Sequence, residues 1–88
     1  MPTISMFYGI IITMYTDKRE HNPPHFHARY AEYKCKVDIN KCEIIAGHFP
    51  SRQIKLVTAW AELHKESLIA NWKIASHGEN PFVIQPLL

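Results

Sequence analysis

The sequence predicts an α+β fold: an antiparallel meander of about four strands, packed on one face by a kinked helix or helix pair. Three observations lead there. Residues 4–44 alternate apolar and polar side chains with a period of two, the segments are joined by short turn signals instead of crossover helices, and beyond residue 50 the apolar residues recur at helical spacing. The 88 residues, 47% hydrophobic and 20% charged, suit one globular domain over residues 1–88 and exclude a disordered chain.

Each element has its own signal. The even positions Ile4, Met6, Tyr8, Ile10, Ile12 and Met14 form an apolar face, so residues 4–14 read as one long strand bent by a bulge at Gly9. On that reading the odd side chains Phe7, Ile11 and Tyr15 face outward and suit an interface. Residues 16–24 are polar and end in Asn22-Pro23-Pro24, where two missing backbone donors prevent sheet pairing, so a loop is expected.

Strand alternation resumes at His25. A two-residue turn at Ala31-Glu32 pairs Tyr30 with Tyr33, Ala28 with Cys35 and Phe26 with Val37, keeping one face apolar throughout. A second two-residue turn at Asn40-Lys41 pairs Ile39 with Cys42 and Val37 with Ile44. Cys35 and Cys42 then share the inner face but lie roughly 13 Å apart along the strands, too far to bridge.

Pro50-Ser51 signals a helix start with Ser51 as the cap. The apolar stripe runs through Leu56, Val57, Trp60 and Leu63, then resumes at Leu68, Trp72 and Ala75. The five-residue step from Leu63 to Leu68 turns the stripe by about a quarter turn at ~100° per residue, which predicts a kink within residues 64–67. Gly78 is placed to end the helix in the left-handed conformation, with His77 at the negative end of its dipole. Residues 79–88 form a C-terminal apolar tail expected to dock on the domain or on a partner.

A net charge of +2 excludes strong non-specific wrapping of nucleic acid but allows a local basic patch. Two cysteines make no disulfide framework, no apolar run reaches the ~20 residues of a membrane span, and Met1-Pro2-Thr3 does not resemble a signal peptide. A cytoplasmic protein away from membranes is expected. The residues name no substrate and no cofactor.

The expected register places His25 across from Asp38, His27 across from Lys36 and Arg29 across from Lys34, with Glu43 beside Asp38. This polar face supports several readings. A solvated or partner-binding face is ordinary for an antiparallel sheet. Arg29, Lys34 and Lys36 suit an anion or a nucleic acid, and His25 and His27 with Asp38 have the residue types of a small phosphodiester-cleaving site. His21, His25 and His27 could instead ligate a metal with an open position, although Lys36 beside His27 repels a divalent cation. Trp60 and Trp72 lie among Leu and Ala and read as core, Cys35 and Cys42 as inert thiols, and His48 and His64 as structural.

The segments Pro2-Thr3-Ile4-Ser5, Phe7-Tyr8-Gly9, Met14-Tyr15, Glu20-His21-Asn22-Pro23-Pro24-His25-Phe26-His27, Trp60-Ala61-Glu62-Leu63-His64, Asn71-Trp72 and Ile84-Gln85-Pro86-Leu87 resemble a small bacterial family catalogued as domain of unknown function 4160. Pro-Pro-His-Phe-His is the most specific of these. The family's genes often stand beside another small gene, an arrangement similar to toxin-antitoxin pairs. The resemblance therefore implies an interaction module with a partner protein, and it brings no catalytic residues. The expected partners are a second copy, the neighbouring gene's product or a nucleic acid, and a dimer or heteromer would form through the first strand or the tail.

Overall fold

The computed structural model describes residues 2–15 and 23–88. Five strands form one antiparallel sheet in the order β1-β2-β3-β4-β5, followed by two helices. The strands are β1 (Thr3–Phe7), β2 (Ile10–Thr13), β3 (His25–Tyr30), β4 (Tyr33–Asp38) and β5 (Glu43–His48), and the helices are α1 (Ser51–Leu63) and α2 (Lys65–Ser76). Every connection within the sheet runs to the adjacent strand, as a meander requires.

The fifth strand arises because residues 4–14 are a hairpin and not one bent strand. Tyr8 and Gly9 both have positive φ, 50° and 79°, the conformation that turns a chain tightly between antiparallel strands, and Phe7 pairs with Ile10 across them. Gly9 adopts that conformation without the steric cost a side chain brings. The turn inverts the alternation: Phe7 is buried at 6% exposure, whereas Met6 is 61% exposed. A register shift between Thr3 and Ser5 restores Ile4 to the core. Of the three side chains expected to face outward, Phe7 is therefore in the core, and Ile11 and Tyr15 are half-buried.

The β3–β4 hairpin has the expected register throughout, from Tyr30 opposite Tyr33 to His25 opposite Asp38. Between β4 and β5 the turn is longer than two residues. Residues 39–42 form it, closed by the Asp38–Glu43 pair, so Ile39 and Cys42 are not strand partners. Asp38 organises this turn twice over: its carbonyl accepts from the Cys42 N–H at 2.8 Å and its Oδ1 from the Lys41 N–H at 2.9 Å. Val37 still faces Ile44, but Lys36 faces Ala46, so Ile45 is an extra residue and β5 is bulged.

The inner sheet face carries the core. Phe26, Val37, Ile10 and Ile12 are fully buried there, and α1 covers them with Val57, Trp60 and Ala61. Trp60 packs against Phe7 and Phe26 with ring centroids at 5.3 and 5.6 Å. The α1 cap is Pro50, whose extended backbone leads into the helix with Ser51 already its first residue; no side chain caps it. Ser51 is therefore not the cap, because Pro50 takes up the extended conformation one position earlier.

The predicted kink falls at His64, which leaves helical geometry at φ −120° and ψ 23°. Hydrogen bonds from His64 N–H to Trp60 and from Leu68 N–H to His64 carry the chain through it. Leu63 is 71% exposed, so it does not belong to the buried stripe, which runs Val57, Trp60, Ala61, Leu68, Asn71, Trp72 and Ala75 at regular helical spacing. α2 buries Leu68, Asn71, Trp72 and Ala75. Its end is locked by hydrogen bonds from Gly78 N–H to Ala75 and from Glu79 N–H to Ile74, which satisfy carbonyls that a helix terminus leaves open.

The C-terminal tail lies on the domain. Ile84 is buried and its N–H donates to the Ile4 carbonyl at 2.7 Å, along the outer edge of β1. Asn71 holds the preceding turn of chain with a pair of bonds to Phe82, Nδ2 to its carbonyl at 2.7 Å and Oδ1 from its N–H at 3.0 Å. Among the described residues no helix is long and apolar enough to cross a membrane.

Candidate anion-binding face

Side chains of directly paired residues in an antiparallel sheet point to the same side. The four ladders therefore resolve the outer face into rows. One row runs Met6, Ile11, Arg29, Lys34, His48, and the next runs Thr3, Thr13, His27, Lys36, Ala46. A third, shorter row contains His25, Asp38 and Glu43. Positive charge is thus concentrated in the first two rows and carboxylates in the third, with successive rows about 6.7 Å apart at strand rise.

Arg29 and Lys34 are exposed and directly opposite each other, and Lys36 is half-buried in the adjoining row. His48 joins them because the bulge at Ile45 brings it opposite Lys34. The sequence alone, with His48 just before Phe49-Pro50, reads it as structural; the bulge that brings it to this face has no signal in the alternation. Tyr15 is expected from the sequence to face outward, but neither it nor Thr13 is among the candidate binding residues that the sequence offers. They come to it only because β2 is a separate strand lying beside β3, with Thr13 opposite His27.

The histidine end of the face is not solvated. His25 is 3% exposed and Asp38 is 5% exposed. The His25 ring packs against Trp72 of α2 in a tilted contact at 4.9 Å and lies 5.2 Å from the His27 ring. Its Nδ1 lies 2.9 Å from the Pro23 carbonyl, an acceptor only, so Nδ1 carries the proton and donates. Consecutive residues of β3 thus meet consecutive aromatic anchors: Phe26 meets Trp60 and His25 meets Trp72. The candidate pair His25 and Asp38 are strand partners, as expected, but each makes a hydrogen bond to nearby backbone, His25 to Pro23 and Asp38 from Lys41.

His21, the third histidine of the metal reading, lies outside the described residues, as do residues 16–22 of the expected loop. Among the described residues no group of three or more His, Cys, Asp or Glu is assembled for a metal ion. Cys35 and Cys42 are both buried free thiols. Burial pushes the Cys35 thiol up to about 11. Burial, then a hydrogen bond and the charge of Glu62, push the Cys42 thiol up as well. Neither has the lowered pKa of a nucleophile.

Between β2, β3 and β4 the outer face is concave. Thr13, Tyr15, His27, Arg29 and Lys34, together with Ala28 and Cys35, line a cavity of about 90 Å³. Tyr15 meets the His27 ring edge-on, at 4.4 Å and 87°, which fixes both rings at the cavity wall.

Residues 9–73 match the family described as a domain of unknown function (DUF4160). No curated protein and no solved structure matches the chain.

Proposed function

The chain belongs to the DUF4160 family, and from the polarity of its outer sheet face we propose that it is the interaction module of a two-gene, toxin-antitoxin-like system, docking an anionic partner through Arg29, Lys34 and Lys36. The observation that carries this reading is the direct pairing of Arg29 with Lys34. Like charges facing each other across a ladder cost up to about 1 kcal/mol, and opposite-charge pairs gain as much. A partner that lays negative charge over both converts that repulsion into two charge-assisted hydrogen bonds. Lys36 in the adjoining row widens the same positive field, while Glu43, exposed on β5, bounds it at the far end.

The neighbouring-gene arrangement implied by the family resemblance supports a partner encoded alongside, and two buried, unbridged thiols suit the reducing conditions of a cytoplasm. Co-purification of the tagged chain from its host tests the reading. A macromolecule should be retained at low salt, released as salt rises, and retained less by Arg29→Ala and Lys36→Ala. Retention indifferent to salt and to both substitutions refutes it.

A further inference from the structure

We propose that the cavity lined by Thr13, Tyr15, His27, Arg29 and Lys34 binds one tetrahedral phosphate group, carried by a nucleotide or by a nucleic-acid backbone. The inference rests on the anionic-partner reading and names the chemistry at its centre.

The lining combines two kinds of polar group from neighbouring strands of one sheet face. Arg29 and Lys34, paired across β3 and β4, supply two permanent cations. Thr13 and Tyr15, from β2 and the residues after it, supply two hydroxyls. A merely basic sheet surface has the first set without the second. A flat carboxylate offers two oxygens on one edge, whereas a tetrahedral group presents oxygens to the cations and to the hydroxyls at once. The guanidinium fork suits two of them.

Size points the same way. An ordered water needs roughly 10–15 Å³ of such space, so the cavity's 90 Å³ accommodates a phosphate group, with the sugar and base left outside along the exposed row. Thr13 is nearly buried, at 7% exposure, so its hydroxyl has few orientations other than toward the cavity's contents. Tyr15, held against His27, is likewise restrained. Donors fixed before binding lose little entropy on meeting the anion.

The test is calorimetric titration of the full chain at low ionic strength with inorganic phosphate, a nucleoside monophosphate, and a dinucleotide whose only phosphate is a diester. Saturable one-to-one binding is expected, absent for chloride at matched ionic strength. Thr13→Val and Tyr15→Phe, which leave the charge unchanged, should each weaken it at least tenfold, and Lys55→Ala, on the exposed face of α1, should change it less than threefold. Tighter binding of the dinucleotide assigns the site to a strand interior, and tighter binding of the monophosphate to a free nucleotide or strand end. Binding unchanged in both hydroxyl variants, or no better than chloride, overturns the proposal. In that event retention of the host partner, and its loss in Lys36→Ala, still reads the broader docking face separately.

Discussion

The indole Nε1–H of Trp60 donates to the Gln85 carbonyl at 2.9 Å, so the largest fully buried side chain of the core also holds the C-terminal tail. One residue therefore couples three layers: the sheet through Phe7 and Phe26, α1 through its own backbone, and the tail. Trp60→Ala should destabilise the domain by about 3–5 kcal/mol, most of what a chain this size has. Trp60→Phe keeps most of the packing and removes the tail bond, at about 1 kcal/mol. Thermal melts give both values, and a Trp60→Ala variant melting within a few degrees of the parent contradicts the packing of α1.

Asn71 makes both of its bonds to Phe82 from a buried position on α2. Asn71→Ala strands a backbone N–H and a carbonyl at once, which should cost about 2 kcal/mol. Hydrogen exchange locates the effect: the Phe82 amide should lose protection while the amides of β3 and β4 keep theirs. Unchanged exchange at Phe82 would show that the tail is held by other contacts.

Gly47 lies opposite Cys35 at φ +84°, and a Cβ there would sit 2.9 Å from the Cys35 Cα and closer still to the Lys34 carbonyl oxygen. Both obstacles are backbone, so neither moves aside easily. Gly47→Ala should cost more than about 2 kcal/mol through strain and clash together. Because His48 depends on this segment for its place opposite Lys34, the variant should also shift the Lys34 and His48 resonances. A melt within a degree of the parent would refute the bulge geometry.

Cys35 is a neutral thiol held above its ordinary pKa of about 8.5, at about 11, by burial. The unfolded chain releases this proton first as pH rises. The stabilisation is therefore complete below the ordinary thiol pKa and is lost progressively toward pH 11. Denaturant unfolding between pH 7 and 11 should show this alkaline fall, and Cys35→Ala should flatten it. Rapid alkylation of Cys35 in the native protein at pH 7.5 would contradict its burial.

The charge rows separate anion from metal binding. Arg29→Ala and Lys36→Ala should each lower the salt dependence of polyanion binding by about one unit in the log–log slope, and a chelator should have little effect. Stoichiometric zinc or nickel that raises the melting temperature, and is lost in His25→Ala and His27→Ala, would reverse the assignment.

Much of the fold was legible because its signals are local. Alternation on either side of Ala31-Glu32, with one apolar face to preserve, admits a single register, and all six β3–β4 pairs follow from it. The kink expected within residues 64–67 does fall at His64, but the five-residue step that signalled it begins at Leu63, which is exposed and outside the buried stripe. By contrast, Met6, Phe7 and Tyr8 are all apolar or aromatic, so periodicity could not choose between them. The positive φ at Tyr8 and Gly9 settled that Phe7 goes in and Met6 goes out.

The sequence alone determined the polar row partners on β3 and β4, His25 with Asp38, His27 with Lys36 and Arg29 with Lys34, since turn length and pleat dictate them. Only the tertiary structure decided what meets those rows. The direction of α2 beyond His64 brings Trp72 onto His25, the β1–β2 hairpin brings Thr13 and Tyr15 beside Arg29 and Lys34, and the β5 bulge brings His48 into line. Each of these depends on packing between segments distant in the chain, and alternation within one segment carries no information about its neighbours' placement.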